Sequence, residues 1–213
     1  MGQIGNTDWI NATTGGTSLF ADTYIDKVDA AGTGSGSDVN FHTATTAVMT
    51  ATGEDDEKAV IMSITVPERG EVLDENGNAI PEDAILTDVQ LQLYVTSAPG
   101  SEATIYGFLL DSEVNLEVVT HQHIDGPSAA TDWNPEFTSA TYGNVIYKSR
   151  VIPGIGKTGT GVTTGLSLSG IKAQGIDWGK TMQIILYSTV TMTIGLIDNT
   201  TSAAYKPDIK VFF

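Results

Sequence analysis

The sequence predicts an all-β domain, a sandwich or a barrel. Apolar residues recur at every second position in segment after segment, the period of a strand whose side chains alternate between two faces. No stretch sustains a helical period for more than a turn or two, and turn-forming residues separate the alternating segments. Many short strands joined by turns are the pattern of a closed or layered β architecture.

Residues 1–18 are polar and offer only Ile4, Trp9 and Ile10 for burial, with Gly15 and Gly16 just before the first apolar cluster. They are read as an N-terminal arm, and 19–213 as a single domain, since a chain of this length can form one substantial core. Trp9 gives the arm a docking residue, because a large aromatic side chain is a typical interface anchor. The surface it meets is either a partner or its own domain.

The first strand is expected at Thr23–Ile25, followed by a Gly/Ser/Thr-rich surface loop over Ala30–Asp38 and an acidic turn over Glu54–Lys58. Val60, Met62, Ile64 and Val66 then alternate with Ser63 and Thr65. The connection from Pro67 to Asp83 is 17 residues long, and loops beyond roughly 12–15 residues tend to carry function or to be disordered. Within it, Asn76-Gly77-Asn78 is a strong turn signal that predicts a small projecting hairpin. Val89, Leu91, Leu93 and Val95 give the clearest alternation, against Gln90, Gln92 and Tyr94.

Further strands are expected at Ala103–Leu110, Glu117–His123, Gly143–Lys148 and Met182–Tyr187, then at Val190–Leu196 and Ile209–Phe213. The glycine-rich run Gly154–Gly165 reads as loop or irregular edge. Two short stretches have helical character: Ser169–Gln174, with a capping serine in front and Gly175 behind, and the weaker Ala129–Trp133, stopped by Pro135.

Charge narrows the partners. Ten basic against 26 acidic residues give a formal charge of −16, which opposes binding to nucleic acid or anionic lipid through phosphate neutralisation. The acidity otherwise serves solubility. There is no cysteine, hence no disulfide or thiol chemistry, and no 18-residue apolar run to span a bilayer. The polar, glycine-rich start Met-Gly-Gln-Ile-Gly-Asn does not read as a signal peptide, and Asn6 stands where a myristoylation signal prefers Ser or Thr.

Motifs that would carry chemistry are incomplete. Gly156-Lys157-Thr158 resembles the end of a phosphate loop, but Val151 occupies the position of its first glycine. Asp74, Asn76 and Asn78 have the spacing of a calcium loop, yet Ala79 replaces the turn glycine and Ile85 the bidentate glutamate. A looser calcium site from loop oxygens is left open. His121 and His123 would share one face of a strand, with Asp125 as a third metal ligand, though an exposed strand end explains them as well. No serine elbow or cysteine nucleophile is present, and no pair of carboxylates is singled out by spacing. The expectation is a protein without catalytic residues, cofactor or required metal.

The order of segments is similar to the DNRLRE-type domains, jelly-roll β-sandwiches often grouped with carbohydrate-binding modules. Ala21-Asp22-Thr23-Tyr24-Ile25 resembles their opening, Val60–Pro67 their proline-ended strand, and Ala84–Val95 their long alternating strand. Trp133 and Thr141 resemble residues of the loop that follows, Leu166–Trp178 their short helix region, Met182–Ser188 the next strand, and Lys206–Phe213 the terminal one. The resemblance spans roughly 19–213 and implies a jelly-roll β-sandwich with one or two short helices behind the N-terminal arm.

Three functions compete. The first is a structural virion protein, a phage capsid decoration or head-fibre protein made in the host cytoplasm. Ile4, Trp9 and Ile10 of its arm would bind the major capsid protein or another virion subunit, and a trimer would suit three-fold capsid positions. The second is a carbohydrate-binding or adhesive module, cell-surface or extracellular, stacking a host glycan on Trp133, Tyr142, Tyr147 and Trp178; ordinary packing is the competing role for each ring. Asn11-Ala12-Thr13 and Asn199-Thr200-Thr201 would be glycan acceptors in a secreted protein. A glycan lyase or hydrolase comes last.

Overall fold

Alternation in the sequence becomes two-sidedness in space along the strand Asp88–Ser97, where Val89, Leu91, Leu93 and Val95 are fully buried and Gln90, Gln92 and Tyr94 are half-buried. The computed structural model describes residues 5–10, 13–14, 17–26, 40–50, 58–110, 113–120, 145–151, 160–173, 175–198 and 206–213. Its strands are β1 (Thr13–Thr14), β2 (Thr17–Ser18), β3 (Phe20–Asp26), β4 (Thr46–Met49), β5 (Lys58–Thr65), β6 (Asp88–Ser97), β7 (Ala103–Leu109), β8 (Val145–Val151), β9 (Thr160–Gly165), β10 (Thr181–Ser188), β11 (Met192–Gly195) and β12 (Asp208–Phe212). One short helix, α1 (Leu168–Ala173), lies between β9 and β10.

The fold is an all-β sandwich of two antiparallel sheets. One sheet has the order β3-β5-β10-β7-β8, and the other runs β12-β6-β11-β4 with β9 also on β6. Leu91 of β6 stands opposite both Ile209 of β12 and Thr164 of β9, and Val95 opposite both Ile194 of β11 and Thr160 of β9. A strand has only two edges, so β12 and β11 follow one another along one edge of β6 while β9 takes the other. Between the sheets Val60, Met62 and Ile64 of β5 and Ile184 and Leu186 of β10 share one core with the buried residues of β6, β11 and β12.

The first sheet is buried on its outer face too. Ile25, Ala59, Ile61, Phe108 and Ile185 form a second apolar cluster with Val114, Leu116 and Val119 of the segment 113–120. This explains the unbroken apolar runs Ala59–Met62 and Ile184–Leu186, since a strand covered on both faces has no reason to alternate. The expected strand at Glu117–His123 is therefore corrected over its described part. Leu116–Val118 is a turn, and Val119 N–H reaches back 2.9 Å to Asn115 O, so that Val114, Leu116 and Val119 can all point down onto the sheet. Residues 121–123 lie outside the described residues.

Other expectations shift less. β9 gives Thr160–Gly165 regular pairing along β6 where loop or irregular edge was expected, and β4 is a strand the sequence reading missed. Helix α1 begins after Ser167, whose Oγ accepts the Gly170 N–H at 3.4 Å, and Gly175 closes it at φ +74°. The second expected helix, Ala129–Trp133, lies outside the described residues.

Residues 5–10 run antiparallel along the outer edge of β12. Gly5 N–H donates to Phe213 O (2.7 Å) and receives Phe213 N–H at its own carbonyl (2.9 Å); Ile10 and Ile209 exchange the same pair of bonds at 2.8 and 2.9 Å. Asn6 opposes Phe212 and Ile10 opposes Ile209, so this segment carries one residue more than β12 over the same span, a bulge. Ile10, expected to dock on a partner, is instead 7% exposed and part of the sandwich core. Its neighbour Trp9 stays 38% exposed, because successive side chains of an extended segment face opposite ways.

Candidate functional site

The long connection after β5 builds one end of the molecule. Its hairpin turns on Asp74, whose Oδ1 accepts the Asn76 and Asn78 N–H groups at 2.9 and 2.8 Å while Oδ2 accepts Asn78 Nδ2 at 3.1 Å. Gly77 occupies the left-handed region at φ +82°, and its N–H donates to Asp74 O at 2.9 Å. The one-three-five spacing of Asp74, Asn76 and Asn78 is thus the spacing of a side-chain-capped turn. These donors, led by the Asn78 N–H, hold the Asp74 carboxyl below the usual carboxylate range.

The N-terminal segment ties the hairpin to the end of β12. Thr7 pairs with Asp74, and Glu75 N–H donates to Asn6 O at 2.9 Å. Thr7, fully buried, accepts the Val211 N–H at Oγ1 (3.1 Å). Phe213 lies over Gly5 so closely that a Cβ there would sit 2.6 Å from its ring and would have to push the ring aside.

A groove of about 750 Å³ opens between these pieces. Phe213, Ile85, Pro81 and Ala79 give it apolar walls, and Asp74, Glu75 and Asp83 line it with charge. None of the described lining residues is basic. Ile85 is 69% exposed, and with Leu73 and Trp9 it makes up the large exposed hydrophobics among the described residues. Leu73 belongs to the hairpin and Trp9 to the N-terminal segment, and of the three only Ile85 is among the described residues that line the groove.

The wall at Ala84 is fixed from behind. Ala84 O accepts Arg69 Nε and Nη2 at 3.1 and 2.9 Å and Trp178 Nε1 at 3.1 Å. The Arg69 guanidinium lies 5.3 Å from the centre of the Trp178 ring, which in turn meets Phe213 at 6.0 Å. Arg69 and Trp178 also line a smaller depression of about 280 Å³ with Glu68 and Glu82.

Of the aromatic residues expected to stack on sugars, Tyr147 is fully buried in the core and offers no ring face to a ligand. Trp178 is 9% exposed, with one face taken by Arg69 and its N–H by Ala84. Trp133 and Tyr142 lie outside the described residues, as do Ile4 of the arm, His121, His123, Asp125 and Gly156-Lys157-Thr158. Sequence reasoning missed Ile85, Asp83 and Phe213 as one site. The long connection with its Asn-Gly-Asn turn was the signal for the hairpin, and nothing local in the sequence says that the two chain ends converge on it.

No protein-family model matches the chain, and no curated protein matches it.

Proposed function

We propose that the chain is a non-enzymatic structural protein carried on a larger particle, in the manner of a phage capsid decoration or head-fibre protein, and that it works through protein–protein contacts. The observation that carries this reading is the groove at one end, where Ile85, 69% exposed, stands beside Phe213, Pro81 and Ala79 within a polar rim. Large apolar side chains left in water together, rimmed by polar residues, are the mark of an interaction surface. Attachment then runs through a composite end made of N-terminal segment, hairpin and Phe213, in place of a free arm.

The strand order supports a jelly roll, a scaffold common among capsid proteins. Counting eight strands from β4 to β11, one sheet takes the first, eighth, third and sixth, and the other the second, seventh, fourth and fifth. That nesting is what a long hairpin rolled into two Greek keys produces. The same order is consistent with the resemblance to DNRLRE-type domains.

The test is electron microscopy of the protein as isolated from its source. A regular particle carrying this chain with its groove end against a neighbouring subunit is the expected result. A free protein that binds glycan through Trp133 or Tyr142 would overturn the reading in favour of a carbohydrate-binding module.

A further inference from the structure

We infer that the groove between the Asp74 hairpin, Asp83–Ile85 and Phe213 receives an extended protein segment that carries lysine or arginine on either side of one apolar side chain. The inference rests on the proposed role as a particle subunit and names the chemistry of the partner.

Size sets the first limit: about 750 Å³ is room for several side chains and falls within the range of built ligand sites, roughly 300–1,000 Å³. Ile85 and Phe213 offer the occupant an apolar surface, and Asp74, Glu75 and Asp83 set three carboxylates around it with no basic side chain among the described lining residues. A wholly apolar occupant would strip water from those carboxylates without replacing it, and a purely cationic one would leave Ile85 in water. A segment with both kinds of side chain satisfies both walls.

Charge decides between the remaining occupants. A second copy of this chain brings another −16 and meets like charge, and nucleic acid is repelled for the same reason. A basic segment is drawn in from a distance, and beside an apolar wall its ion pairs are stronger than in open water. The wall at Ala84 is set before binding by Arg69 and Trp178, and the acidic turn by its own side-chain bonds. Little ordering is left for the moment of association.

The experiment titrates the full chain, labelled for amide NMR, with a synthetic decapeptide in which lysines flank a central leucine. Expected are shifts at Gly5, Asn78, Ile85 and Phe213, and affinity that falls as salt rises. Replacing the peptide's leucine by serine, or changing Ile85→Ser together with Asp83→Asn in the protein, should each weaken binding at least about tenfold. Both protein positions are exposed, so the fold is retained and an unchanged thermal transition verifies it. Equal binding of the serine peptide or of spermine, shifts away from the groove, or an unaffected double variant would overturn the inference. The two readings fail separately. A particle whose occupancy is indifferent to the double variant removes the groove inference alone, whereas groove-specific peptide binding by a protein never found in a particle removes the particle reading alone.

Discussion

Gln183 grips the backbone of Val114 with both ends of its carboxamide: Nε2 donates to Val114 O at 2.9 Å, and Oε1 accepts the Val114 N–H at 2.7 Å. Gln183 is 8% exposed on β10, on the face that the segment 113–120 covers. Asn40 Nδ2 holds the far end of that segment through Leu116 O and Val119 O, at 2.9 and 2.7 Å. The layer over the first sheet is thus clamped by two carboxamides from different parts of the chain.

Gln183→Ala should destabilise the protein by about 2–4 kcal/mol, because both buried backbone groups of Val114 lose their partner. Gln183→Glu keeps the acceptor and loses the donor, and it sets a carboxylate against Val114 O, so at pH 7 it should cost at least as much. Urea unfolding of the three proteins is the measurement. A loss below about 0.5 kcal/mol for the alanine variant, the range of an ordinary surface change, would mean that packing alone holds the cover.

Asp22 makes stability depend on pH. It is 3% exposed on β3; Oδ2 accepts the Ile197 N–H at 2.8 Å and Oδ1 has no hydrogen-bond partner among the described residues. Burial pushes its pKa up to about 7, helped by Asp198 and opposed by the Ile197 N–H and Lys206. In the unfolded chain the group titrates near 3.8, so between these values the folded protein binds more protons than the unfolded one. Stability therefore falls as pH rises through this window, and the full penalty is present above pH 7. Asp22→Asn keeps an acceptor for Ile197 and removes the charge. At pH 8 it should melt higher than the parent by several degrees, on the order of a few kcal/mol, with the advantage shrinking toward pH 4. A difference constant with pH would show that Asp22 is ionised in the fold at no cost.

Legibility from sequence followed the range of the physics. Alternation along Val89–Val95 and Ile209–Val211 is a local pattern set by burial on one face, and those strands stand where the pattern put them. The described part of the expected strand Glu117–His123 misled for the same reason, since its β-branched residues serve a covering segment and the sequence does not say which side a sheet lies on. β4 is only four residues, and two of them, Thr46 and Val48, are half-buried, too short a run for a period to register. The groove was least legible, because Gly5, Asn78, Ile85 and Phe213 converge only through long-range pairing of the two chain ends.

That pairing makes the N-terminal segment a structural element. Ile10→Ala should cost about 2–4 kcal/mol, as truncation of a buried aliphatic side chain does, while Trp9→Ala should stay within about 0.5 kcal/mol. Removal of residues 1–10 should lower stability beyond Ile10→Ala, since the buried Thr7 and the backbone bonds to Phe213, Val211 and Ile209 go with it. Chemical denaturation of the three variants decides: a truncated chain as stable as the parent would mean that the segment adds nothing to the sandwich it lies on.

Arg69 and Trp178 share one acceptor, and their contributions should therefore not add. Trp178→Phe removes the Nε1–H donor to Ala84 O and weakens the face that the guanidinium lies over; Arg69→Met removes both guanidinium donors and the cation while keeping an unbranched side chain. Each alone should cost about 1–2 kcal/mol. In the first variant the carbonyl still has Arg69, and in the second it still has Trp178, so only the double variant leaves Ala84 O without a donor. The double variant should then lose more than the sum of the singles, by about 0.5–1 kcal/mol in a double-mutant cycle. Amide exchange at Ala84, whose N–H donates to Pro81 O at 3.0 Å, should speed up most in the double variant, because the wall of the groove is no longer pinned. Strict additivity with unchanged exchange at Ala84 would show that the carbonyl is held by its own backbone, and that Arg69 and Trp178 only pack behind it.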